Sequence, residues 1–185
     1  MLKKVLVVVD VQNDFVKGGA LAYAYPEQSN TDAICAYVRK TLDDGNFVIA
    51  TRDTHYDNYL ETLEGKMLPV PHCKHGTKGW ELVRELNIMT YTKNFPRVIN
   101  KDTFGSMAIS SFIEDFDEWG YGVSEIEICG YCTSICVVSN AIILRAMLPN
   151  MKITVLQNLC GDINEEAHKA ALIVLRNQQI EVKNA

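Results

Sequence analysis

Four side chains capable of acid–base or nucleophilic chemistry follow apolar runs in this 185-residue chain. They are Asp10, Asp53, Lys101 and Cys136. A cysteine beside an amine and a carboxylate is a candidate nucleophile, because the amine stabilises the thiolate and the carboxylate can accept the thiol proton. Each residue type also has an ordinary role: aspartate caps helices, lysine covers surfaces, and cysteine fills cores. Because all four residues follow apolar runs, a catalytic or binding role is favoured over these ordinary roles.

A second polar group lies in the stretch 53–79, which contains three of the four histidines but no convincing helix or strand. Its candidate metal ligands are Asp53, His55, Glu61, Glu64 and His72, with Cys73 and His75 as local competitors. Imidazole nitrogens and carboxylate oxygens suit Zn²⁺, Mn²⁺ or Fe²⁺. Histidine and carboxylate are also ordinary loop residues, so the spacing alone leaves metal binding open.

Strands and helices must bring these groups together. Continuous apolar runs predict strands buried on both faces, at 4–9, 47–51, 97–99, 125–129, 153–156 and 180–182, the last at an edge. Helical patterns are found from 30 or 31 to 42, and at 107–116, 133–147 and 165–177. The alternation predicts a three-layer α/β/α sandwich with a mostly parallel central sheet, as a single domain over 1–185.

The carboxyl ends of parallel strands meet at one edge of the sheet, where such folds bind ligands. We therefore expect Asp10, Asp53, Lys101 and Cys136 to converge there. Cys136 lies near the start of the predicted helix 133–147, whose free N–H groups and dipole favour a thiolate. This position predicts that Cys136 is alkylated well below the ordinary thiol pKa of about 8.5.

Composition narrows the function classes. A net charge of -5 and a pI of about 5.4 give no basic footprint for a nucleic-acid partner. The apolar run at 5–9 is too short for a signal peptide or membrane span, so we expect a cytoplasmic protein without membrane contact. Thiols stay reduced in that compartment, so the six cysteines are not expected to form disulfides. Glycine-rich nucleotide-binding motifs are absent.

Five blocks resemble those of the isochorismatase-like cysteine hydrolases, most closely the nicotinamidase branch. The blocks are VVDVQNDF at 8–15, ATRDTH at 50–55, PHC with GT between 71 and 77, NKDTF at 100–104 and GYCTSICV at 130–137. Their order and spacing extend the resemblance over nearly the whole chain. One departure is Ser134, where the family usually has aspartate two residues before the nucleophile.

The resemblance implies a hydrolase acting on a linear carbon–nitrogen amide bond through a cysteine thioester. Its implied catalytic residues are Asp10, Lys101 and Cys136, with Asp53, His55, Glu64 and His72 holding one divalent metal ion. Zinc is favoured over manganese or iron. The resemblance also implies a cis peptide between Tyr131 and Cys132, and an oxyanion hole formed by the backbone N–H groups of Cys132 and Cys136.

The implied reaction is the hydrolysis of nicotinamide to nicotinate and ammonia, in the salvage of pyridine nucleotides. Phe15 and Tyr131 are candidate apolar contacts for the ring of this small-molecule substrate, and a homo-oligomer is expected. Two alternatives remain open: an amidase acting on another small amide, and a non-catalytic metal or thiol sensor. The isochorismatase branch, for which the resemblance implies no metal, is less favoured because the full ligand set is present.

Overall fold

The computed structural model describes residues 2–26 and 29–185. Six parallel strands form one sheet in the order β3-β2-β1-β4-β5-β6. Their bounds are β1 Lys3–Val9, β2 Phe47–Asp53, β3 Arg97–Lys101, β4 Val123–Tyr131, β5 Lys152–Gly161 and β6 Glu181–Lys183. Every predicted strand is present, and β6 lies at an edge as expected.

Helices connect the strands. They are α1 Thr31–Asp43, α2 Leu63–Met67, α3 Arg84–Met89, α4 Ala108–Glu118, α5 Val138–Met147 and α6 Glu165–Asn177. Short 3₁₀ turns occupy Asn13–Phe15 and Tyr59–Glu61, and a π-helical turn at Thr133–Val137 leads directly into α5. The predicted helix 133–147 is therefore two consecutive segments of different pitch.

Alternation along β1 creates a core on each face of the sheet. Val5, Val7 and Val9 pack with apolar residues of α4, α5 and α6, whereas Leu6 and Val8 pack with those of α1 and α3. A strand covered on both faces needs apolar residues at every position, which explains the uninterrupted run that predicted it. The predicted three-layer α/β/α sandwich is confirmed, and its sheet is fully parallel.

The strand order reverses between β1 and β4, and this point determines where a ligand can bind. In open α/β sheets a crevice forms beyond the carboxyl ends of the strands at such a switch point. Gly130 has a φ of +117° and pairs with Val9, and a Cβ atom at this position would collide with the Val9 backbone. Glycine therefore allows β1 and β4 to approach closely just below the crevice.

Two short helices differ from the sequence-based expectation. The stretch predicted to lack regular structure contains α2, which begins where the Thr62 side chain accepts a hydrogen bond from the Gly65 N–H at 3.0 Å. The six-residue α3 was not predicted at all. Both helices are too short for a hydrophobic period to be recognised. Within the described residues, no helix is both long enough and apolar enough to span a membrane.

Candidate active site

Three predicted catalytic side chains meet at the switch point. Asp10 follows β1, Lys101 is the last residue of β3, and Cys136 lies in the π-helical turn after β4. The Lys101 Nζ atom lies 2.6 Å from Oδ2 of Asp10 and donates a hydrogen bond to Sγ of Cys136 at 3.5 Å. All three residues are buried. The structure thus brings together an amine, a carboxylate and a thiol from three separate elements.

Neighbouring strands hold the Asp10 carboxylate in place. Its Oδ1 atom accepts a hydrogen bond from the Thr51 hydroxyl on β2 at 2.7 Å, and its N–H donates to the same hydroxyl at 3.2 Å. Asp10 has a φ of +51°, in the left-handed region that aspartate visits more readily than most residues. This backbone turn ends β1 and leaves Oδ2 beside Lys101.

Burial and charge act in opposite directions on the ion pair. Burial raises the pKa of Asp10 above its ordinary range, and the positive charge of Lys101 opposes that rise. For Lys101, burial favours the neutral amine, but the negative charges of Asp10 and Cys136 raise its pKa above the ordinary lysine value. Lys101 is therefore a permanent cation, and Asp10 is a stronger proton acceptor than an exposed carboxylate.

The expected low pKa of Cys136 is wrong in direction. Burial raises the pKa of this thiol, and the negative charge of Asp10 raises it further, while Lys101 lowers it less than these effects combined. Burial and Asp10 therefore favour the protonated thiol, with a proton acceptor beside it. The sequence pattern could not reveal this, because it gives neither the depth of burial nor the proximity of Asp10.

The turn that bears Cys136 is closed by backbone hydrogen bonds to a single carbonyl. The Ile135 and Val137 N–H groups donate to the Cys132 carbonyl at 3.2 and 3.0 Å, which closes the turn. Neither the Cys132 N–H nor the Cys136 N–H donates to a backbone acceptor outside this turn in the part of the chain that the structure describes. The peptide bond between Tyr131 and Cys132 is cis, in agreement with the resemblance.

A group of metal-ligand atoms lies beside this triad. Asp53, His55 and His72 each offer one atom, and these atoms lie within 4.8 Å of one another. The Nε2 atoms of His55 and His72 are 3.0 and 3.2 Å from Oδ2 of Asp53. Glu64 Oε1 lies further out, 3.5 Å from His55 Nε2 and 3.9 Å from His72 Nε2. Two imidazoles and a buried carboxylate fit a divalent transition metal ion.

The surroundings orient these ligands. The His72 Nδ1 atom lies 2.8 Å from the Val70 carbonyl, so an N–H there leaves Nε2 free as a ligand. Gln12 fixes Asp53 from both sides, accepting its N–H at 2.7 Å and donating to its carbonyl at 2.9 Å. Burial alone would raise the pKa of Asp53, but its hydrogen bonds with the two histidines hold that pKa well below the usual range.

The other ligand candidates from the sequence are not part of this group. Glu61 and His75 are exposed. Cys73 is buried, and its N–H donates to Asp14 Oδ2 at 2.8 Å. Burial raises the pKa of the Cys73 thiol far above that of a free cysteine, which disfavours the thiolate that binds metals. All six cysteines are free, as predicted.

A cavity of about 250 Å³ joins the thiol to the metal-ligand group, since Cys136, Asp53 and His72 all line it. Phe15, the candidate substrate contact, lines this cavity, with its ring centroid 5.6 Å from that of His72. Tyr131 does not: it is fully buried, and its ring stacks on Tyr23 with centroids 4.3 Å apart. The predicted substrate contact by Tyr131 is not found.

Most of the apolar wall of this cavity was not predicted from the sequence. It is formed by Leu21, Ala22, Leu68, Phe104, Ile135 and Ile163. These residues come from five separate segments, so no local pattern connects them. Phe104 was the most accessible clue, because it lies three residues after Lys101 in a block that carries the family resemblance.

A parallel sheet in the order 3-2-1-4-5-6, with reactive groups at its switch point, defines the chain as an open α/β protein with a crevice site. The isochorismatase domain family matches residues 4–184. The chain therefore belongs to the isochorismatase family.

Individual relatives agree with this assignment. A protein of Mycobacterium tuberculosis named nicotinamidase/pyrazinamidase is 30% identical over 191 residues, which cover 97% of each chain. The crystal structure of nicotinamidase PncA from Bacillus subtilis has a TM-score of 0.82 at 26% identity, covering 99% of this chain and 100% of that one. Pyrazinamidase of Pyrococcus horikoshii, solved in complex with zinc, shares the fold with a TM-score of 0.77 at 23% identity and 99% coverage of both chains.

Proposed function

We propose that this chain is a metal-containing cysteine amidohydrolase that converts nicotinamide and water to nicotinate and ammonia. The observation that carries the proposal is the position of Lys101 Nζ, 2.6 Å from Asp10 and 3.5 Å from the Cys136 sulfur, beside an apolar cavity. The enzyme class, a hydrolase of amide bonds, agrees with the names of the relatives.

The first half of the reaction forms a thioester. Asp10 accepts the thiol proton of Cys136 as the sulfur attacks the amide carbonyl carbon. The carbonyl oxygen becomes an oxyanion, which the N–H groups of Cys132 and Cys136 stabilise. Asp10 then donates its proton to the amide nitrogen, the carbon–nitrogen bond breaks, and ammonia leaves. Lys101 stays protonated and keeps the carboxylate and sulfur in place.

The second half repeats these roles with water. Asp10 accepts a proton from a water molecule as its oxygen attacks the thioester carbon. The same two N–H groups stabilise the second oxyanion. The carbon–sulfur bond then breaks, Cys136 recovers a proton from Asp10, and the carboxylic acid product is released. Water is consumed, ammonia and acid are produced, and the protein returns to its starting state.

Asp53, His55 and His72 would hold the metal ion, with Glu64 as an outer ligand. When bound, the ion supplies a Lewis acid that a ring nitrogen of the substrate can ligate. Among candidate metals we propose zinc, which this donor set suits. The cavity next to Phe15 accommodates a small flat ring between these ligands and Cys136.

The test combines a panel of small amides with metal analysis. Purified protein is assayed for ammonia release from nicotinamide, pyrazinamide and aliphatic amides, and its metal content is measured by mass spectrometry. We expect nicotinamide turnover, one transition metal ion per chain, and loss of turnover in Cys136→Ala. The matched control is Cys35→Ala, another buried cysteine, which lies on α1 outside the cavity lining and should leave turnover intact.

Other outcomes separate the alternatives. Turnover of a different amide with nicotinamide inert would reject the proposed substrate and favour a related amidase. Tight metal binding without turnover of any amide would reject catalysis and favour a sensor. Equal turnover in Cys136→Ala and the unmodified protein would reject the thioester route.

A further inference from the structure

Asp162, in the loop between β5 and α6, is fully buried but is not one of the catalytic or metal-binding residues proposed above. Its Oδ2 atom accepts a hydrogen bond from the Ser134 N–H at 2.8 Å. Its Oδ1 atom accepts from the Ser134 hydroxyl at 2.8 Å and from the Ile163 N–H at 2.8 Å. No lysine or arginine within the described ranges forms an ion pair with it. A buried carboxylate is costly, so these three donors indicate a specific role.

The main partner of Asp162 is Ser134, which lies in the π-helical turn Thr133–Val137 that bears Cys136, here called the nucleophile turn. Ser134 is two residues after Cys132 and two before Cys136, the residues whose N–H groups would stabilise the oxyanion. Ser134 is also in the first turn of the helical segment, where backbone N–H groups lack internal partners and a carboxylate is favoured. By binding this N–H, Asp162 fixes the turn between the two oxyanion donors.

The main chain of Asp162 connects the same turn to the cavity wall. Its carbonyl accepts hydrogen bonds from the Ala24 and Tyr25 N–H groups at 3.0 and 2.9 Å, and its N–H donates to the Tyr25 carbonyl at 2.7 Å. The segment leading to Ala24 supplies Leu21 to the cavity, and the next residue, Ile163, also lines it. Asp162 therefore joins three segments that surround the substrate position.

We propose that Asp162 is a positioning residue for the nucleophile turn: through Ser134, its carboxylate sets the direction of the Cys132 and Cys136 N–H groups. The inference rests on the proposed amidase function. It also accounts for the departure at Ser134, where the resemblance leads one to expect aspartate. A hydroxyl at 134 and a carboxylate at 162 together cap the turn that an aspartate at 134 could cap alone.

The test is a kinetic comparison of Asp162→Ala and Asp162→Asn with the unmodified enzyme. We expect kcat for nicotinamide to fall about 10–100-fold, because small displacements of oxyanion donors and reacting groups cost rates of this order. KM should change much less, since the lost alignment matters in the transition state more than in the bound ground state.

Two further variants distinguish positioning from general support. Adding Ser134→Asp to Asp162→Ala returns a carboxylate to the turn, and we expect it to recover most of the lost kcat. The matched control is Asn164→Ala in the same loop, where the Asn164 side chain accepts the Ala167 N–H at 2.8 Å and caps α6. This control should lower the melting temperature but leave kcat unchanged.

Several results would overturn the inference. They are an unchanged kcat in Asp162→Ala, a loss confined to KM, or an equal loss of kcat in Asn164→Ala. If the unmodified protein hydrolyses no amide, the proposed function fails by itself. The positioning of the turn by Asp162 is then tested by amide hydrogen exchange of residues 132–137. Exchange should accelerate in Asp162→Ala but not in Asn164→Ala. Equal exchange in both variants would reject it.

Discussion

The ammonium group of Lys101 and the sulfur of Cys136 lie 3.5 Å apart beside the cavity. The positive charge lowers the pKa of the thiol, but burial and the charge of Asp10 outweigh it. Asp10 and Lys101 therefore act in opposite directions on the pKa of the same thiol. The balance of these effects favours a thiol that keeps its proton until a substrate binds.

Because Asp10 and Lys101 have opposite effects on the pKa of Cys136, replacing them should have opposite effects on its rate of alkylation. Asp10→Asn keeps the shape of the side chain but removes its charge, so the pKa of Cys136 should fall and its alkylation by iodoacetamide at neutral pH should be faster. Lys101→Met removes the stabilising cation, so alkylation should be slower. Nicotinamide turnover should fall in both, by about 10²–10⁴-fold for Asp10→Asn because the general base is lost.

The measurement is the pH profile of alkylation of the Cys136 peptide, followed by mass spectrometry. The peptide that contains Cys35 provides the internal reference, because its thiol lies outside the cavity. Shifts of the Cys136 profile in the same direction for both variants would contradict the proposed balance of charges.

The ion pair also predicts a stability pattern. Lys101→Met leaves Asp10 as an uncompensated buried charge, which should lower the free energy of unfolding by about 3–5 kcal/mol at neutral pH. Adding Asp10→Asn should restore most of this loss without restoring turnover. Denaturant unfolding measures both effects, and a double variant as unstable as Lys101→Met would show that the ion pair is not the cause.

The pH dependence of Lys101→Met follows from the raised pKa of Asp10. Without Lys101, which opposes this rise, the pKa should increase further. The folded state then binds a proton that the unfolded state does not, at pH values between the unfolded and folded pKa of this carboxyl. Stability of the variant should therefore increase as pH falls through the folded pKa. Unfolding curves that show no such gain on acidification would contradict burial of a charged Asp10.

The three layers of the fold and the positions of the catalytic candidates could be predicted, because both follow from the order of apolar runs and polar residues along the chain. A short β-branched run such as Val5–Val9 is typical of a strand covered on both faces, and the residue after such a strand is expected at the crevice. Asp10 and Lys101 are therefore predictable from position alone. The residue types named His55 and His72 only among several candidate ligands, and the family resemblance was needed to separate them from the others, because the stretch between them has no regular pattern.

Other features depend on three-dimensional contacts that sequence order does not specify. Tyr131 ends β4 as Lys101 ends β3, but its hydroxyl donates to Asn30 Oδ1 at 3.0 Å and lies 2.9 Å from the Thr31 hydroxyl, so it is held away from the cavity. The neutral state of Cys136 depends on burial. The role inferred for Asp162 depends on a hydrogen bond to a residue 28 positions away.

The distances within the metal-ligand group predict that variants of its members will differ in how much metal they retain. Asp53→Ala, His55→Ala and His72→Ala each remove an inner ligand, so each purified variant should contain little metal. Glu64→Gln should retain more, because Glu64 Oε1 lies further from the histidines than the Asp53 carboxylate does. Metal content measured by mass spectrometry decides this, with exposed His75→Ala as the control. Full metal occupancy in the His72 variant would reject the site.

Asn140 on α5 connects the nucleophile turn to the cavity wall by hydrogen bonds. Its Nδ2 atom donates to the Cys136 carbonyl at 2.8 Å and to the Phe104 carbonyl at 3.3 Å, and its Oδ1 atom accepts the Ser106 N–H at 2.9 Å. Asn140→Ala leaves the buried Cys136 carbonyl and two partly buried groups without this partner, which should lower the free energy of unfolding by about 1–3 kcal/mol.

The kinetic consequence of Asn140→Ala should include binding, because Phe104 lines the cavity. We expect KM for nicotinamide to rise several-fold together with a fall in kcat, whereas the Asp162 variants should change kcat much more than KM. The control is Ser139→Ala on the same helix, which removes only a hydroxyl and keeps the Cβ atom facing Gly105. If Asn140→Ala lowered stability without raising KM, Asn140 would support the fold but would not hold the Phe104 wall in position.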